Sequence, residues 1–434
     1  MVSITVKPTN KLQGTLVAPA SKSYTQRMLI AAALSEGSGR VVNPLLSEDT
    51  QATFRAITAL GAKVQKNEDN WIVQGASELN AASNLIDVGE SGATLRFMIP
   101  IAALIEGHSA FLLSSSLERR PIEPLLSSLK MLNIKAYPKQ IGNQQAIVVE
   151  GEGMAGGKTN IPGNVSSQFI SGLMFACPMA KADTEIQVTT PLESKDYIRM
   201  TKEVLAMHHI DVQISDDYRH IYIPGRQTFK QVDCKVPGDF SSAAFLLAAS
   251  AITNSNVKID NLYRETVQGD KAILDVLKQM GINIGCNDVG IEVQGTGDLL
   301  KAVDIDVKDI PDLVPICAVL ACYAEGQSRI FNAQRLRFKE SDRLATIHQE
   351  LTNMGALISM DESSLTIKGS RKLYGATINP HNDHRIAMSC TVAALRAEGE
   401  TTIENAECIR KSYPSFYTDL ITIGAEIVGG KLVR

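Results

Sequence analysis

Small and polar residues that run into Ala- and Leu-rich segments recur six times along this 434-residue chain. The six segments start at residues 21, 91, 166, 241, 312 and 384, so they recur every 70 to 75 residues. Their apolar positions have the period of a helix, and recurrence at a fixed spacing is the signature of an internal repeat. The pattern therefore predicts six similar units, each built around one such helix.

Each unit also contains a second helix that ends in a short turn before a strand. Gly follows this helix in four of the six units, at Gly61, Gly281, Gly355 and Gly424, and Gly readily adopts the left-handed conformation that ends helices. Hairpin-like stretches then precede the next unit, as at residues 72–75, 147–151 and 293–295. The order of these elements predicts a β-α-β-α-β-β unit and an α/β fold.

The last unit is about 20 residues shorter than the others, and the segment from Val2 to Pro19 has the pattern of its missing hairpin. The series of units is thus expected to close through the two termini. Grouped three and three, the units predict a discontinuous domain of residues 1–19 and 238–434 and an inserted domain of residues 20–237. A continuous solenoid is the alternative, but solenoids end in atypical capping repeats and do not split a repeat between their ends.

Composition restricts the class of protein. A chain of 434 residues is long enough for two cores, and 44% apolar, 21% charged and 5% aromatic residues suit a globular α/β protein. The net charge of −4 is spread without basic blocks, which argues against a nucleic-acid partner. No apolar run approaches the roughly 20 residues of a membrane span, and no secretory leader is evident, so we expect a cytoplasmic protein without a membrane partner.

The cysteine and histidine patterns indicate no metal site. The seven cysteines are scattered and never spaced as CxxC, which favours reduced and mostly buried thiols. The pairs His208-His209 and His381 with His384 lack the neighbouring cysteine or carboxylate spacing of zinc sites.

Helix starts carry the most informative polar residues. The N-terminus of a helix exposes N–H groups and a partial positive charge, so it favours anions. Taken singly, a charged residue at such a start is most often a cap or a solvated side chain. Recurrence at equivalent positions of the repeat predicts convergent cations that an anionic ligand compensates. These positions include Lys22, Ser23 and Arg27, Ser166 to Gln168, residues 118–121, 194–197, 338–343 and 382–385, and Lys411.

Six runs, in collinear order, resemble the 5-enolpyruvylshikimate-3-phosphate synthase family of enolpyruvyl transferases. They are Pro19 to Arg27, Gly89 to Arg96, Glu118 to Ile122, Ser166 to Gln168, Lys339 to Leu344 and Asn382 to Arg385. The resemblance implies two similar domains of three repeats each, in an inside-out barrel-like arrangement with substrates in the interdomain cleft. It also implies a monomer that transfers the enolpyruvyl group of phosphoenolpyruvate to the 5-hydroxyl of shikimate 3-phosphate, with no metal or organic cofactor.

The resemblance also implies which residues bind each substrate. For shikimate 3-phosphate they are Lys22, Ser23, Arg27, Ser166, Ser167, Gln168, Ser194, Tyr197, Asp312 and Lys339. For phosphoenolpyruvate they are Lys22, Gly92, Arg120, Gln168, Arg343, Arg385 and Lys411, and Gly92 is expected to leave room for the ligand. Lys22, Asp312 and Glu340 are the expected acid–base residues.

The chain departs from the family pattern at several positions. Glu90 and Ala93 stand where Asn and Thr are common, Phe97 where Pro is frequent, and Arg335 where Asn is frequent. The pattern therefore does not predict how the enzyme responds to glyphosate, a mimic of phosphoenolpyruvate.

Two alternative functions stay open at this point. The first is the related transfer to UDP-N-acetylglucosamine, whose enzymes have Lys-Asn at the first helix and a Cys in a mobile loop. Here Ser23 follows Lys22 and no Cys precedes Cys177, which favours shikimate 3-phosphate. The second is a non-catalytic binding module with the same fold, which the presence of Lys22, Asp312 and Glu340 disfavours.

Overall fold

The computed structural model describes residues 2–67, 69–76, 79–82, 85–287, 290–369 and 372–429. The chain forms two compact units. The inserted unit is Lys22–Val236, and the discontinuous unit joins Met1–Ser21 to Pro237–Arg434.

The elements of the discontinuous unit before the insertion and of the inserted unit are, in order, β1 (Ile4–Val6), β2 (Gln13–Val17), α1 (Lys22–Leu34), β3 (Ser38–Val42), α2 (Glu48–Ala59), β4 (Lys63–Lys66), β5 (Asn70–Gln74), β6 (Ile86–Asp87), α3 (Gly92–Ala102), β7 (Gly107–Leu112), α4 (Ser115–Glu118), α5 (Glu123–Met131), β8 (Lys135–Ile141), β9 (Gln144–Gly151), β10 (Gly157–Ile161), α6 (Ser167–Ala176), β11 (Thr184–Val188), α7 (Lys195–Met207), β12 (Gln213–Ile214), β13 (His220–Ile223) and β14 (Cys234–Lys235).

The elements that follow are α8 (Phe240–Ile252), β15 (Asn256–Asp260), α9 (Ile273–Gln279), β16 (Asn283–Cys286), β17 (Gly290–Gln294), β18 (Leu300–Lys301), β19 (Ile305–Asp306), α10 (Val314–Cys322), β20 (Ala324–Glu325), β21 (Gln327–Phe331), α11 (Arg343–Asn353), β22 (Leu357–Met360), β23 (Leu365–Lys368), β24 (Thr377–Ile378), α12 (His384–Ala394), β25 (Thr401–Ile403), α13 (Phe416–Thr422) and β26 (Ile427–Val428). Short 3₁₀ turns lie at Cys177–Met179, Gly269–Ala272, Pro311–Leu313, Gln334–Phe338 and Ala406–Lys411.

The strands confirm the predicted α/β class and the order of elements in its repeat. Among the described residues, each unit contains three four-stranded sheets: β14-β3-β5-β4, β6-β7-β9-β8 and β10-β11-β13-β12 in the inserted unit, and β2-β15-β17-β16, β19-β21-β23-β22 and β24-β25-β1-β26 in the discontinuous one. In every sheet the first two strands are parallel and the remaining pairs are antiparallel. In four of the six sheets a helical crossover joins the parallel strands, as parallel pairing requires, and it places the start of the first helix just after the first strand of the sheet.

The N-terminal segment differs from its prediction as a single missing hairpin. Strand β1 does complete the last sheet, where it pairs with β25 and β26. Strand β2, however, pairs with β15 and begins a different sheet, whose next element, α8, follows only after the inserted unit. The inserted unit is closed in the same way, because its last strand, β14, pairs with β3. Each unit thus joins its two chain ends within one sheet.

Left-handed residues end the second helix of every repeat. Four of them are the predicted glycines, with φ between +89° and +110°. The other two are Asn133 and His209, both with φ of +61°. All six repeats therefore have the same left-handed backbone conformation at this position. In two of them a residue with a Cβ atom, Asn or His, adopts it despite the steric cost.

A close backbone approach accounts for the glycine at the end of the hairpins. A Cβ atom on Gly295 would lie 1.9 Å from the carbonyl oxygen of Ser250, at the end of α8. The equivalent distances are 1.8 Å at Gly75, 1.9 Å at Gly151 and 2.0 Å at Gly369, each to a carbonyl oxygen after the first helix of its repeat. Because rigid backbone atoms meet at these positions, any side chain must push the hairpin away from the helix.

We expect Gly295→Ala to lower the free energy of unfolding by about 3 kcal/mol, since overpacking against backbone is among the costlier core changes. The matched control is Gly285→Ala in β16 of the same sheet, where the nearest atom to the new Cβ is Glu292 Cβ at 3.7 Å. Urea denaturation followed by far-UV circular dichroism compares the two. Equal midpoints for both variants would contradict the steric explanation.

The first helices of the repeats form the buried centre of each unit. Every residue of α10 is buried, as is every residue of α12, and Ser241 is the one residue of α8 that is not. Helices α8, α10 and α12 contact one another, and α3 contacts α6 in the inserted unit. Helices without a polar face are stable only when surrounded. Among the residues that the structure describes, none of the helices is both long and apolar enough to cross a bilayer.

Candidate active site

Lys22 is the first residue of α1 and is held by a carboxylate from the next helix. Its Nζ lies 2.8 Å from Oδ2 of Asp49 in α2, and the two side chains are 16% and 12% exposed. An ammonium that is mostly removed from water needs such a partner. Asp49 was not among the residues predicted for the site, although it lies in the first turn of α2 behind the N-cap Ser47.

Arg27 is buried and brings α1 against α7. Its Nε donates to Thr201 Oγ1 at 2.9 Å, while Nη1 and Nη2 donate to the carbonyl oxygens of Ser23 and Tyr197 at 3.0 and 3.3 Å. Burial lowers the pKa of the guanidinium to about 10, still high enough to keep its charge at neutral pH. The structure thus brings together three of the predicted site residues.

The start of α6 presents a second predicted group. Ser166 is the N-cap, and its side chain accepts from the backbone N–H of Gln168 at 3.3 Å. The Gln168 side-chain oxygen accepts from Nη1 of Arg96 at 2.7 Å, and Nη2 of the same arginine donates to the Pro121 carbonyl at 2.9 Å. Arg96 therefore links the predicted Gln168 to the loop that carries Arg120, a role that the sequence analysis missed.

Gly92 lies against the guanidinium of Arg120. A Cβ atom on Gly92 would be 2.9 Å from Cζ and from both terminal nitrogens of that group. The role expected of Gly92 toward a ligand stays a prediction, while in the structure the Arg120 side chain occupies the space beside this glycine. Nε of Arg120 is buried without a hydrogen-bond partner. The absence of a side chain at residue 92 thus determines where the Arg120 cation lies.

Ser194 and Tyr197 lie at the start of α7. Ser194 is the N-cap and is almost fully buried, with a left-handed φ of +56°. A non-glycine residue in this conformation is strained by about 1 kcal/mol or more, and such strain often accompanies function.

Two of the departures from the family pattern, Phe97 and Arg335, are fixed by their surroundings, one by core packing and the other by a hydrogen bond. Phe97 is fully buried against Phe175, with ring centroids 5.7 Å apart, and the Arg27 guanidinium lies 5.0 Å from its ring centre. Nη2 of Arg335, in the discontinuous unit, donates to the Lys308 carbonyl at 2.7 Å.

In the discontinuous unit, three cations surround the carboxylate of Asp312. This residue lies in the 3₁₀ turn before α10. Its Oδ1 is 2.9 Å from Nη1 of Arg343 and 3.3 Å from Nζ of Lys339, and its Oδ2 is 3.3 Å from Nη2 of Arg385. The structure therefore brings together four predicted site residues that lie up to 73 positions apart in sequence. Partial burial lowers the pKa of Lys339, and the negative charge of the nearby Asp312 carboxylate opposes that lowering.

Arg343 is the most strongly paired cation of the cluster. Besides Asp312, it contacts Glu340 through Nη2 at 2.5 Å and the fully buried Asp383 through Nε at 2.9 Å. Asp383 is also the N-cap of α12, where it accepts from the Arg385 backbone N–H at 3.0 Å. The sequence analysis placed residue 383 at a helix start but assigned it no role.

Lys411 is held by a carbonyl group in a strained loop. Its Nζ donates to the carbonyl oxygen of Asn382 at 2.6 Å. His381 and Asn382 both have left-handed backbones, with φ of +52° and +59°. The loop before α12 thus directs one carbonyl to Lys411 and one carboxylate, that of Asp383, to Arg343.

The arrangement combines anion-binding and acid–base groups. Each unit contains arginine and lysine side chains that are largely removed from water, and buried cations favour phosphate and carboxylate ligands. Carboxylates at Asp312 and Glu340 are partly exposed, at 15% and 16%. Such groups accept and donate protons when a substrate is within hydrogen-bond reach.

Comparison with solved structures identifies the class of fold. The EPSP synthase of Acinetobacter baumannii superposes with a TM-score of 0.83 at 25% sequence identity, covering 99% of this chain and 100% of that one. The enolpyruvyl transferase NikO from Streptomyces tendae gives a TM-score of 0.79 at 18% identity, covering 99% of both chains, and supports the fold alone. The fold is that of the enolpyruvyl transferases.

Sequence comparison identifies the family. The family model of EPSP synthase (3-phosphoshikimate 1-carboxyvinyltransferase) matches residues 6–420. The chain is 42% identical over 430 residues to the 3-phosphoshikimate 1-carboxyvinyltransferase of Methanocaldococcus jannaschii, covering 98% of this chain and 99% of the relative. The enzyme of the same name from Methanococcoides burtonii is 42% identical over 419 residues, or 96% of this chain and 97% of that one. The chain belongs to the EPSP synthase family.

Proposed function

We propose that this protein is a cytoplasmic, monomeric 3-phosphoshikimate 1-carboxyvinyltransferase that needs no metal or organic cofactor. It transfers the enolpyruvyl group of phosphoenolpyruvate to the 5-hydroxyl of shikimate 3-phosphate and releases phosphate, a step of aromatic amino acid biosynthesis. The observation that carries the proposal is the Asp312 carboxylate surrounded by Lys339, Arg343 and Arg385 in a member of this family. Full-length relatives with that enzyme name support the same acceptor.

Hydroxyl, amide and cationic groups, with the Asp312 carboxylate, make up the set proposed for shikimate 3-phosphate. The phosphate takes donors from the α1, α6 and α7 starts, and a carboxylate such as Asp312 accepts from a ring hydroxyl. The hydrogen-bonded placement of Arg27 and Gln168 supports these roles. The full proposed set is Lys22, Ser23, Arg27, Ser166, Ser167, Gln168, Ser194, Tyr197, Asp312 and Lys339.

Phosphoenolpyruvate is a small trianion, so its binding requires several cations. The proposed set is Lys22, Gly92, Arg120, Gln168, Arg343, Arg385 and Lys411. Gly92 contributes through Arg120, whose guanidinium it allows to approach the start of α3. Four of the five cations in this set already contact a carboxylate or a carbonyl oxygen of the protein: Lys22, Arg343, Arg385 and Lys411.

The reaction proceeds by addition and elimination. The acceptor hydroxyl loses its proton to Asp312, and its oxygen attacks C2 of phosphoenolpyruvate while C3 gains a proton from Glu340 or Lys22. The tetrahedral adduct then loses phosphate and one C3 proton, which restores the double bond. Positioned acids and bases of this kind contribute on the order of 10² to 10⁴ each in rate.

A phosphate-release assay distinguishes this function from its alternatives. Purified protein is incubated with phosphoenolpyruvate and either shikimate 3-phosphate or UDP-N-acetylglucosamine. We expect release only with shikimate 3-phosphate. Release with the nucleotide sugar would identify the alternative transferase, and release with neither acceptor would favour a non-catalytic binding protein.

We expect Gly92→Ala to raise the KM for phosphoenolpyruvate at least about 5-fold, because the new methyl group displaces the Arg120 guanidinium and a charged hydrogen bond is worth 1.5–3 kcal/mol. Inhibition by glyphosate should weaken in parallel. The KM for shikimate 3-phosphate should stay within about 2-fold of the wild-type value. The sets proposed for the two substrates have only Lys22 and Gln168 in common, and Arg120 belongs to the phosphoenolpyruvate set alone.

Ala93→Gly is the matched control for Gly92→Ala. It loosens the same turn of α3 but adds no atom near Arg120. If this control raises the KM for phosphoenolpyruvate as much as Gly92→Ala does, the effect arises from the helix and the explanation through Arg120 is wrong.

A further inference from the structure

Gln26 is a buried residue of α1 that the proposed mechanism does not use. It lies four residues after Lys22, so the two side chains are on one face of the helix. Gln26 is 1% exposed. A side-chain amide so far from water is costly unless it is hydrogen-bonded, so its contacts indicate what it holds in place.

The side-chain amide nitrogen of Gln26 joins α1 to the next two helices. It lies 3.3 Å from the carbonyl oxygen of Asp49 and 3.1 Å from Oγ1 of Thr53, both in α2. It also lies 3.1 Å from Oγ of Ser91 and 3.1 Å from Oγ1 of Thr94, at the start of α3. An amide nitrogen has two N–H donors, so the four oxygens share them. One side chain thus connects the starts of α2 and α3 to α1.

The hydroxyl groups around Gln26 also bond to one another. Oγ1 of Thr94 lies 2.7 Å from Oγ1 of Thr53 and 2.8 Å from Oγ of Ser91. Ser91 is in addition the N-cap of α3, where its side chain accepts from the Thr94 backbone N–H at 3.3 Å. All three residues are buried. A buried network of this kind holds its members in one arrangement, because a displaced hydroxyl loses its partners without gaining water.

Groups proposed for phosphoenolpyruvate lie on both sides of this network. On one side, the Lys22 ammonium contacts the carboxylate of Asp49, whose carbonyl oxygen contacts Gln26. On the other side, Gly92 is the first residue of α3 and lies against the Arg120 guanidinium. Gln26 therefore connects the support of one proposed cation to the support of another.

The equivalent residue of the next repeat makes the same kind of link. Gln26 lies five residues after the repeat start at residue 21, and Arg96 lies five residues after the start at residue 91. As Gln26 contacts the start of α3, Arg96 contacts Gln168 at the start of α6. A polar side chain at this position thus joins one first helix to the start of the next in two successive repeats.

We propose that Gln26 is a positioning residue for enolpyruvyl transfer: its side-chain amide fixes the start of α3 relative to the Lys22–Asp49 pair, so that Lys22 and Arg120 bind phosphoenolpyruvate together. This inference rests on the proposed function. Without the amide the Lys22–Asp49 ion pair remains, but the start of α3 loses its hydrogen bonds to α1. The position of Gly92, and with it that of the Arg120 guanidinium, is then less well defined. Gln26 thus acts on the enolpyruvyl donor more than on the acceptor.

The test measures steady-state kinetics of Gln26→Met and Thr94→Val in the phosphate-release assay. Gln26→Met keeps the length of the side chain and removes the amide. We expect it to raise the KM for phosphoenolpyruvate at least about 5-fold and to weaken glyphosate inhibition in parallel. The kcat should stay within about 3-fold, and the KM for shikimate 3-phosphate within about 2-fold, of the wild type. Thr94→Val removes one of the acceptors and should raise the KM for phosphoenolpyruvate about 3-fold.

Ser35→Ala is the matched control, since it removes a buried hydrogen bond at the other end of α1. Ser35 directly follows α1, and its hydroxyl oxygen lies 3.0 Å from Nδ1 of the buried His208. We expect Ser35→Ala to lower the urea midpoint of unfolding, as Gln26→Met does, because each loses a buried hydrogen bond. The control should keep both KM values within about 2-fold of the wild type.

Several outcomes overturn the inference. A Gln26→Met enzyme that loses stability but keeps the wild-type KM for phosphoenolpyruvate shows a purely structural role. Equal increases in both KM values, or the same increase in Ser35→Ala, show that the effect is not confined to the start of α3. If Gln26→Met does not fold, an unchanged KM for phosphoenolpyruvate in Thr94→Val decides against the proposal. A wild-type enzyme that releases no phosphate overturns the proposed function, and the inference with it.

Discussion

Asp312→Asn should lower kcat for enolpyruvyl transfer by at least about 10²-fold, the size expected when a positioned general base is removed. The amide keeps the shape of the side chain and an oxygen that can still accept from Lys339 or Arg343, but it no longer takes a proton. The lost charge also leaves three cations around a neutral group. Steady-state kinetics with saturating shikimate 3-phosphate and phosphoenolpyruvate measure the loss.

Asp306→Asn is the matched control, since Asp306 is an exposed carboxylate in β19, six residues earlier in the same unit. Its oxygen accepts from the Lys308 backbone N–H and from Asn332, and an amide oxygen can accept both bonds. We expect this control to keep wild-type kcat within about 2-fold, as substitutions at exposed sites rarely matter. A folded Asp312→Asn enzyme with near-normal turnover would remove Asp312 from the proposed mechanism.

Local chemistry accounts for what could be predicted from the sequence. The helix starts at Ser91, Ser166 and Asp383 follow from side chains that cap their own backbone, and each caps its helix in the structure. The left-handed stops at Gly61 and its equivalents follow from the freedom of glycine. The same stop at Asn133 and His209 was not identifiable from residue type alone, because only the repeat register shows that these positions are equivalent.

The sequence analysis missed the acidic partners of the predicted cations, because these ion pairs join segments that are distant in sequence. Asp49 and Asp383 are acidic residues in or next to helix starts, where a cap or a favourable dipole contact is the ordinary explanation. Their ion pairs, to Lys22 and Arg343, depend on which helix starts the fold brings together. The signal that could have found them is the excess of predicted cations, since cations buried together require carboxylates.

The neighbour of Gly92 could not be predicted for a related reason. A glycine at a helix start indicates that something approaches the backbone closely, but the sequence does not show what it is. The guanidinium of Arg120, 28 positions later, occupies that space. The identity of a neighbour across the fold is tertiary information, and it determines whether the glycine acts on the ligand directly or through a cation.

Arg343→Met should destabilise the discontinuous unit by about 3–5 kcal/mol, the usual cost of removing one partner from a buried ionic group. Arg343 is 1% exposed and contacts Asp383, which is fully buried, as well as Asp312 and Glu340. Burial alone lowers the pKa of the guanidinium, but the three carboxylates outweigh it and hold that pKa above its ordinary value. Arg343 is therefore charged at any working pH, and its removal leaves buried carboxylates without their cation.

Arg343→Lys and Arg329→Met complete this experiment. Lysine keeps the charge but cannot contact three carboxylates with a planar fork, so Arg343→Lys should lose less stability than Arg343→Met while staying below the wild type. Arg329 is an exposed arginine of β21 in the same unit, and Arg329→Met should change the free energy of unfolding by no more than about 0.5 kcal/mol. Urea denaturation followed by far-UV circular dichroism ranks the variants. If Arg343→Met unfolds at the same urea concentration as Arg329→Met, the carboxylates around Arg343 are neutralised in another way and the cluster does not depend on this cation.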